Sequence, residues 1–325
     1  MNNEVIIDRF LESRSFNAVA VGILVAVAII YVAMGGSLAC NGNNGMFFPS
    51  CNLWLSPGAV SMLLNVACIV AAGYWLKYLN RLYGFIRANA TVSLSAFLML
   101  QIATPAITGN FHDGTLMLVV VSAAAYMLFD TYQRRFSSRS IFMVFALLGF
   151  YAMFQFTALY LTAVFFIGFM QMRVMGLKGF IAMLLGLLTP YWICYGFGII
   201  SPDDFNVPGV KAAWNIEDVS WVLVATCAVS VLATLLLMMS NMMRIISYNA
   251  KRRACNGFFT VLTITTIIMM ILDSANVTSY MPTFNLCFAV QVGHAFTISN
   301  SDRRYIPMLA LYAACLGLCV YNIIW

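Results

Sequence analysis

The sequence predicts an all-α, polytopic integral membrane protein with about 11 transmembrane helices. Hydrophobic residues make up 62% of the 325 positions and charged residues only 9%, whereas a soluble domain carries roughly 25% charged residues. The mean hydropathy is +0.90. The apolar residues form long runs, whereas the strands of a membrane β-barrel would alternate apolar and polar residues. These observations exclude a soluble enzyme, a disordered chain and a nucleic-acid-binding domain.

Each predicted span is an apolar run that approaches the roughly 20 residues needed to cross the hydrocarbon core. In chain order the runs are 16–34, 57–76, 91–107, 115–129, 141–154, 157–172, 180–200, 219–239, 258–272, 281–298 and 305–324. Residues 141–171 contain no charge, and one helix of that length would rise about 46 Å. Two short helices or a re-entrant hairpin turning near Gln155 are therefore expected there.

Charge decides the predicted orientation, because short cytoplasmic loops collect Lys and Arg. With a cytoplasmic N-terminus and a periplasmic C-terminus, Lys211 is the only one of the 17 basic residues on the outer side. The chain then forms a single transmembrane domain, 1–325. Its outer loops are 35–56 and 201–218, and its inner basic loops are 77–90, 130–140 and 240–257.

The cysteines and histidines offer little chemistry. Cys40 and Cys51 share an outer loop, where an oxidising periplasm permits a disulfide; the bonded and free forms both stay open. The two histidines have no metal-ligand spacing, so we expect no metal site, and no cofactor is indicated. Gln291 and His294 lie three residues apart on one helical face. They predict either a hydrogen bond between helices or a polar cavity within the membrane.

Acidic residues supply most of the candidate site. The turn 109–114 presents His112 and Asp113 side by side, as candidate catalytic residues. Carboxylates on one face can supply a general base or hold a metal for a lipid-linked donor, or can simply complement the basic inner face. The candidate groove residues are Asp203, Asp204, Lys211, Glu217, Asp218 and Asp273. The candidate residues for lipid headgroups are Arg134, Arg135, Arg139, Lys251, Arg252 and Arg253.

Residues 105–198 carry a recognisable order of motifs. A turn P-x3-GNFHDG precedes an apolar span, the basic loop YQRRFSSRS, an apolar hairpin at 145–173 and the segment GFIAMLLGLLTPYW. This order resembles the middle of polytopic glycosyltransferases of the GT-C type, which use polyprenyl-linked sugars. The resemblance implies that Asp113 is the acidic residue that these enzymes carry in the turn before a span. It also implies that a polyprenyl-phosphate lipid is a ligand.

The stretch from the basic loop to LLGLLTPYW is also similar to an uncharacterised family of inner-membrane proteins from Bacteroidetes. This similarity implies a multi-pass protein of a bacterial inner membrane. The first outer loop, 35–56, contains no Asp or Glu, although GT-C enzymes carry an acidic motif there. The expected function is therefore cell-envelope biogenesis on a GT-C-like scaffold that binds a lipid or lipid-linked glycan. If the protein is an enzyme, it is expected to be a polyprenyl-linked-sugar-dependent glycosyltransferase.

Two other functions stay open. A non-catalytic membrane subunit would dock other envelope proteins through its spans and outer loops. A transporter of small molecules or lipids would use a cavity at Gln291 and His294, although the spans lack the ionisable residues at depth that ion coupling usually requires. Expected partners are membrane lipids and other membrane proteins, with no nucleic acid.

Overall fold

The computed structural model of the chain describes residues 10–11, 13–36, 45–86, 91–134, 137–205, 221–298 and 305–324. Within these ranges the chain is helical and contains no β-strand, which confirms the predicted all-α class. The helices are α1 (Arg14–Ala33), α2 (Ala59–Tyr83), α3 (Thr91–Ile102), α4 (Ala106–Gly109), α5 (Asp113–Asp130), α6 (Ser138–Ala152), α7 (Tyr160–Gln171), α8 (Leu177–Gly196), α9 (Trp221–Ile245), α10 (Ala250–Leu272), α11 (Val277–Ile298) and α12 (Tyr305–Ile324).

Among the described residues, seven helices are long and apolar enough to cross a membrane: α1, α2, α5, α8, α9, α10 and α12. A multi-pass membrane protein is therefore supported. The count of 11 spans stays a prediction, because several predicted spans are short helices. Helices α3 and α6 have 12 and 15 residues and rise only about 18 and 22 Å, against about 30 Å of hydrocarbon.

The uncharged segment 141–171 folds as two short helices. Helix α6 ends at Ala152, Gln155 has an extended backbone, and a 3₁₀ turn at Phe156–Leu159 leads into α7. The backbone N–H of Gln133 donates to the carbonyl oxygen of Met172 at 3.2 Å. The two ends of the hairpin therefore lie at the same end of the bundle, and its tip lies at Gln155.

Helices α3 and α11 form the centre of the bundle. Every residue of α3 is buried, as expected for a helix without charges that packs on neighbouring helices around its whole circumference. Helix α3 packs against α1, α2, α11 and α12, and α11 packs in addition against α5, α9 and α10. Gly293 of α11 faces Ser93 of α3, and such small residues let two helices approach closely.

Helix α8 is peripheral and packs mainly on α6. Two glycines make this contact. A Cβ atom at Gly149 would lie 2.6 Å from the carbonyl oxygen of Leu187, and one at Gly186 would lie 2.5 Å from that of Phe142. Backbone therefore meets backbone from both sides. Since apolar burial contributes little between helices in lipid, close packing of this kind holds α8 in place.

A methyl group added at this contact is expected to destabilise the protein. Gly186→Ala places its Cβ against a backbone oxygen of α6 that cannot rotate away, and overpacking costs about 1–3 kcal/mol. Gly196→Ala in the same helix is the matched control, because nothing lies within 4 Å of that Cβ position. Thermal unfolding in detergent should show a lower midpoint for Gly186→Ala alone. Equal midpoints for the two variants would contradict the packing role.

Candidate functional site

The segment 45–57 crosses the end of the bundle at which α5 begins and α10 ends, here termed the acidic end. The backbone N–H groups of residues 46–48 all point at the carbonyl oxygen of Met153, at 3.1–3.2 Å. The ring of Phe48 stacks on Phe154 with centroids 5.2 Å apart. The segment is thereby fixed to the tip of the hairpin formed by α6 and α7.

Asp113 ties the same segment to α5, of which it is the first residue, and it is fully buried. Its Oδ1 accepts a hydrogen bond from the backbone N–H of Cys51 at 2.8 Å, and its Oδ2 accepts one from the side-chain amide of Asn52 at 3.2 Å. In return, Asn52 Oδ1 accepts from the backbone N–H of Asp113 at 3.0 Å. Each side chain thus caps the start of the other's helical turn, where N–H groups lack partners.

His112 is buried beside Asp113 and also contacts backbone. Burial lowers the pKa of His112 to about 4, so the ring is neutral at pH 7. Its Nδ1 lies 3.0 Å from the carbonyl oxygen of Asn110, and its Nε2 is buried near the carbonyl of Thr278 without a hydrogen bond. Pro282, four residues further along α11, lacks the N–H that would otherwise bond to that carbonyl. The imidazole therefore serves helix packing in this structure.

Asp273 lies in a second buried network, at the connection between α10 and α11. Its carboxylate accepts two hydrogen bonds from the Asn276 amide, at 3.0 and 3.1 Å, and one from the Tyr280 hydroxyl at 2.6 Å. All three residues belong to the same turn and the first turn of α11. The carboxylate therefore stabilises this connection, and its hydrogen-bond partners differ from those of Asp113.

Tyr151 and Asn52 are structural residues of this end that sequence reasoning missed. The Tyr151 hydroxyl lies 3.0 Å from the backbone carbonyl oxygen of Asp113 and within hydrogen-bond distance of the Gln155 side-chain oxygen. It therefore links the hairpin tip to α5. In the sequence, only Gln155 indicated this contact, because it is a polar residue inside an uncharged run. An isolated Tyr or Asn forms no pattern from which its partner could be predicted.

Gln291 and His294 bond to different helices. The Asn241 amide of α9 donates to the backbone and side-chain oxygens of Gln291, at 2.8 and 3.1 Å. His294 Nε2 lies 2.8 Å from the side-chain oxygen of Asn256 in α10, which in turn donates to the carbonyl of Phe85 at 3.1 Å. Both residues therefore form the hydrogen bonds between helices that the sequence left open as one alternative.

The predicted headgroup residues lie at the opposite end of the bundle, here termed the basic end. The Lys251 ammonium lies 5.2 Å from the centre of the Tyr83 ring. The Arg252 guanidinium lies beside Gly84, the left-handed residue that ends α2. The start of α10 is thereby placed against the end of α2.

Arg134 also belongs to the basic end, where it forms an ion pair with Asp130 through hydrogen bonds of 2.7 and 2.9 Å. Arg139 lies at the start of α6, and Arg253 donates to the carbonyl of Ile246 at 3.3 Å. The described headgroup candidates therefore lie at one end of the bundle.

Several predicted site residues lie outside the described residues: Cys40, Arg135, Lys211, Glu217 and Asp218. The Cys40–Cys51 disulfide therefore stays a prediction. Cys51 itself is fully buried. Burial and the neighbouring Asp113 carboxylate raise the pKa of its thiol well above the usual value.

An apolar groove of about 320 Å³ lies beside the C-terminal end of α8. Its α8 wall is formed by Leu188, Tyr191, Trp192 and Tyr195, and Phe47 lines it from the segment across the acidic end. The rings of Phe47 and Tyr191 have centroids 5.8 Å apart. The volume is at the lower end of the range of about 300–1,000 Å³ found for small-molecule sites.

Two of the predicted groove carboxylates border this groove. Ser201 lines it, and the Ser201 backbone N–H donates to Asp204 Oδ2 at 2.7 Å. Asp203 precedes Asp204 in the same 3₁₀ turn, and both are exposed. The next residue, Phe205, packs on Phe47 with centroids 5.5 Å apart. The structure thus brings Asp203 and Asp204 to the groove, whereas Asp113 and Asp273 are buried and do not line it.

No three His, Cys, Asp or Glu side chains come together as metal ligands in the part of the chain that the structure describes. Comparison with protein-family models, curated proteins and solved structures finds no match for this chain. The resemblances in residues 105–198 therefore stay expectations from the sequence.

Removal of the Asp113 carboxylate is expected to release the segment 45–57. Cys51 reports this change, because its thiol is buried and its pKa is raised by the same carboxylate. In Asp113→Ala the thiol becomes accessible and its pKa falls towards the usual value, so maleimide labels it at least about tenfold faster, given the strength of hydrogen bonds to a charged group. Peptide mass spectrometry measures labelling at Cys51.

Asp203→Ala is the matched control, because it removes an exposed carboxylate of the same end and should leave labelling unchanged. Samples with and without reductant distinguish a free Cys51 from one bonded to Cys40. Unchanged labelling in reduced Asp113→Ala protein would contradict the anchoring role of the carboxylate.

Proposed function

We propose that this chain is a multi-pass protein of the bacterial inner membrane that serves cell-envelope biogenesis. It binds a lipid or lipid-linked glycan on a GT-C-like scaffold, without catalysis. The groove at α8 is the observation that carries the proposal. Its lining is apolar and aromatic, which suits an acyl or polyprenyl chain. Helix α8 packs mainly on α6 among the described helices, and its exposed side chains Leu188 and Trp192 can meet the bilayer.

The engagement of the candidate acid–base residues supports a binding role. Asp113 accepts hydrogen bonds from the segment 45–57, and His112 is buried with its Nδ1 against the carbonyl oxygen of Asn110. A transferase that releases a phosphate or diphosphate would also need cations near the leaving group. The described part of the acidic end contains no Lys or Arg.

The separation of charge supports the proposed orientation, with a cytoplasmic N-terminus, 11 crossings and a periplasmic C-terminus. Basic side chains at the ends of α2 and α5 and at the start of α10 lie at the basic end. The carboxylates of Asp113, Asp203, Asp204 and Asp273 lie at the acidic end. Cytoplasmic placement of the basic end satisfies the positive-inside rule.

A non-catalytic subunit of a multiprotein envelope complex is the second candidate. The exposed side chains of α8 favour it, since Leu188 is 62% exposed and Trp192 is 77% exposed among the described residues. A partner helix that packs on this face would bury the same side chains that a lipid chain would contact.

Reporter fusions test the orientation. Alkaline phosphatase fused after Ile324 is expected to be active, because its disulfides form only in the oxidising periplasm, and green fluorescent protein fused there is expected to be dark. Fusions after Asn249, at the basic end, should give the opposite result. Reporter activities reversed at both positions would contradict the orientation.

Native mass spectrometry of gently solubilised protein tests the lipid groove. Trp192→Ala removes a ring from the groove wall. It is expected to lower retention of co-purified lipid by about tenfold, because one large apolar contact with the lipid chain is lost. Phe197→Ala is the matched control, because Phe197 is 80% exposed near the same helix end and does not line the groove.

Equal lipid retention in the two variants would contradict the lipid groove. Stoichiometric protein partners with only bulk phospholipid would instead favour the second candidate.

A further inference from the structure

The α8 groove presents aromatic faces to its surroundings. Trp192 and Tyr195 are 77% and 56% exposed, and Tyr191 and Phe47 form the wall beside them. The face of an aromatic ring is electron-rich and attracts a cation that lies within about 6 Å of the ring centre. The groove can therefore hold a cationic group as well as an apolar chain.

Two carboxylates lie in the 3₁₀ turn that follows the groove lining. Asp204 is bonded to Ser201 of the groove lining at 2.7 Å, and Phe205, which follows it, packs on Phe47 of the groove wall. Asp203 shares the turn and is exposed. Within the described ranges, the one ion pair between side chains is Arg134–Asp130 at the basic end. Asp203 and Asp204 therefore have no counter-ion among the described basic residues.

We propose that the groove binds a lipid whose headgroup carries an ammonium group. The apolar chain lies along Leu188 and Tyr191, and the ammonium lies between the rings and the Asp203–Asp204 carboxylates. This inference rests on the lipid-binding function proposed above and adds the chemistry of the headgroup. A purely anionic headgroup fits poorly, because the two carboxylates repel it.

An anchoring role in the membrane interface would explain the aromatic residues alone. Trp and Tyr collect at both interfaces of membrane proteins, and this role does not require neighbouring carboxylates. Neutralising Asp203 and Asp204 therefore separates the two roles, since it leaves every ring in place.

The test uses nanodiscs that contain equal amounts of phosphatidylethanolamine and phosphatidylglycerol with the same acyl chains. Both lipids carry a phosphate, and only the first carries an ammonium. Native mass spectrometry of the released protein is expected to show phosphatidylethanolamine enriched about two- to fivefold, the size of exposed cation–π and ion-pair contributions. The Asp203→Asn/Asp204→Asn double variant is expected to lose this enrichment while total bound lipid stays unchanged.

Asparagine keeps the size of aspartate and an oxygen that can accept from the Ser201 N–H, so the turn is retained. Asp203→Glu/Asp204→Glu is the matched control and is expected to keep the enrichment, because it keeps both charges. Higher ionic strength is expected to weaken the enrichment in the unmodified protein.

The outcomes separate this inference from the function on which it rests. If Trp192→Ala removes lipid but the double asparagine variant keeps the unmodified ratio of the two lipids, the ammonium site is overturned and the lipid groove stands. If Trp192→Ala removes no lipid, both proposals fall. Enrichment of phosphatidylglycerol that the double variant increases further would also overturn the ammonium site.

Discussion

The buried carboxylate of Asp113 is the interaction on which the acidic end depends. Its described hydrogen-bond partners are neutral groups of Cys51 and Asn52, so its burial requires that these donors stay in place. They belong to a chain segment that has little regular structure of its own. The Met153 carbonyl holds the same segment at residues 46–48, so that Phe47 lies against Tyr191. The wall of the apolar groove therefore depends on polar contacts at both ends of this segment.

Inside the bundle, side-chain amides donate to backbone carbonyls that would otherwise be buried without a hydrogen bond. Helix ends leave carbonyl groups without intrahelical partners, and hydrocarbon cannot supply one. Asn65 of α2 donates to the carbonyls of Ile107 and Thr108 at 2.9 Å, and Asn322 of α12 donates to that of Ala103 at 3.0 Å. These bonds permit the break between α3 and α4 within the bundle. The uncharged polar residues of the spans thus hold the helices together.

The chemical difference between the two ends of the bundle shapes the functional proposals. Cations at the basic end suit anionic headgroups of one leaflet, whereas aromatic rings and carboxylates at the acidic end suit an apolar chain with a cationic head. Both proposals, on orientation and on lipid binding, rest on this difference between the two ends. The burial of His112 and Asp113 and their contacts with backbone groups give these two side chains a structural role at the acidic end.

The sequence by itself determined the helical class, the apolar segments and the segregation of charge, because the bilayer imposes length, composition and the sidedness of Lys and Arg on any chain that crosses it. It also indicated Gln155 as a turn, since an uncharged run of that length is too long for one span. It singled out Asp113, although not as an anchor.

Only the tertiary structure decided which side chains contact each other. Asn52 lies 61 positions from Asp113, and Phe47 meets Tyr191 from a distant segment. Gln291 and His294 look like a pair in sequence but bond to different helices. The physical reason is that helices in lipid are apolar on nearly every face. Their packing is set by backbone approach at residues such as Gly149 and Gly186 and by single hydrogen bonds, and neither leaves a periodic pattern in the sequence.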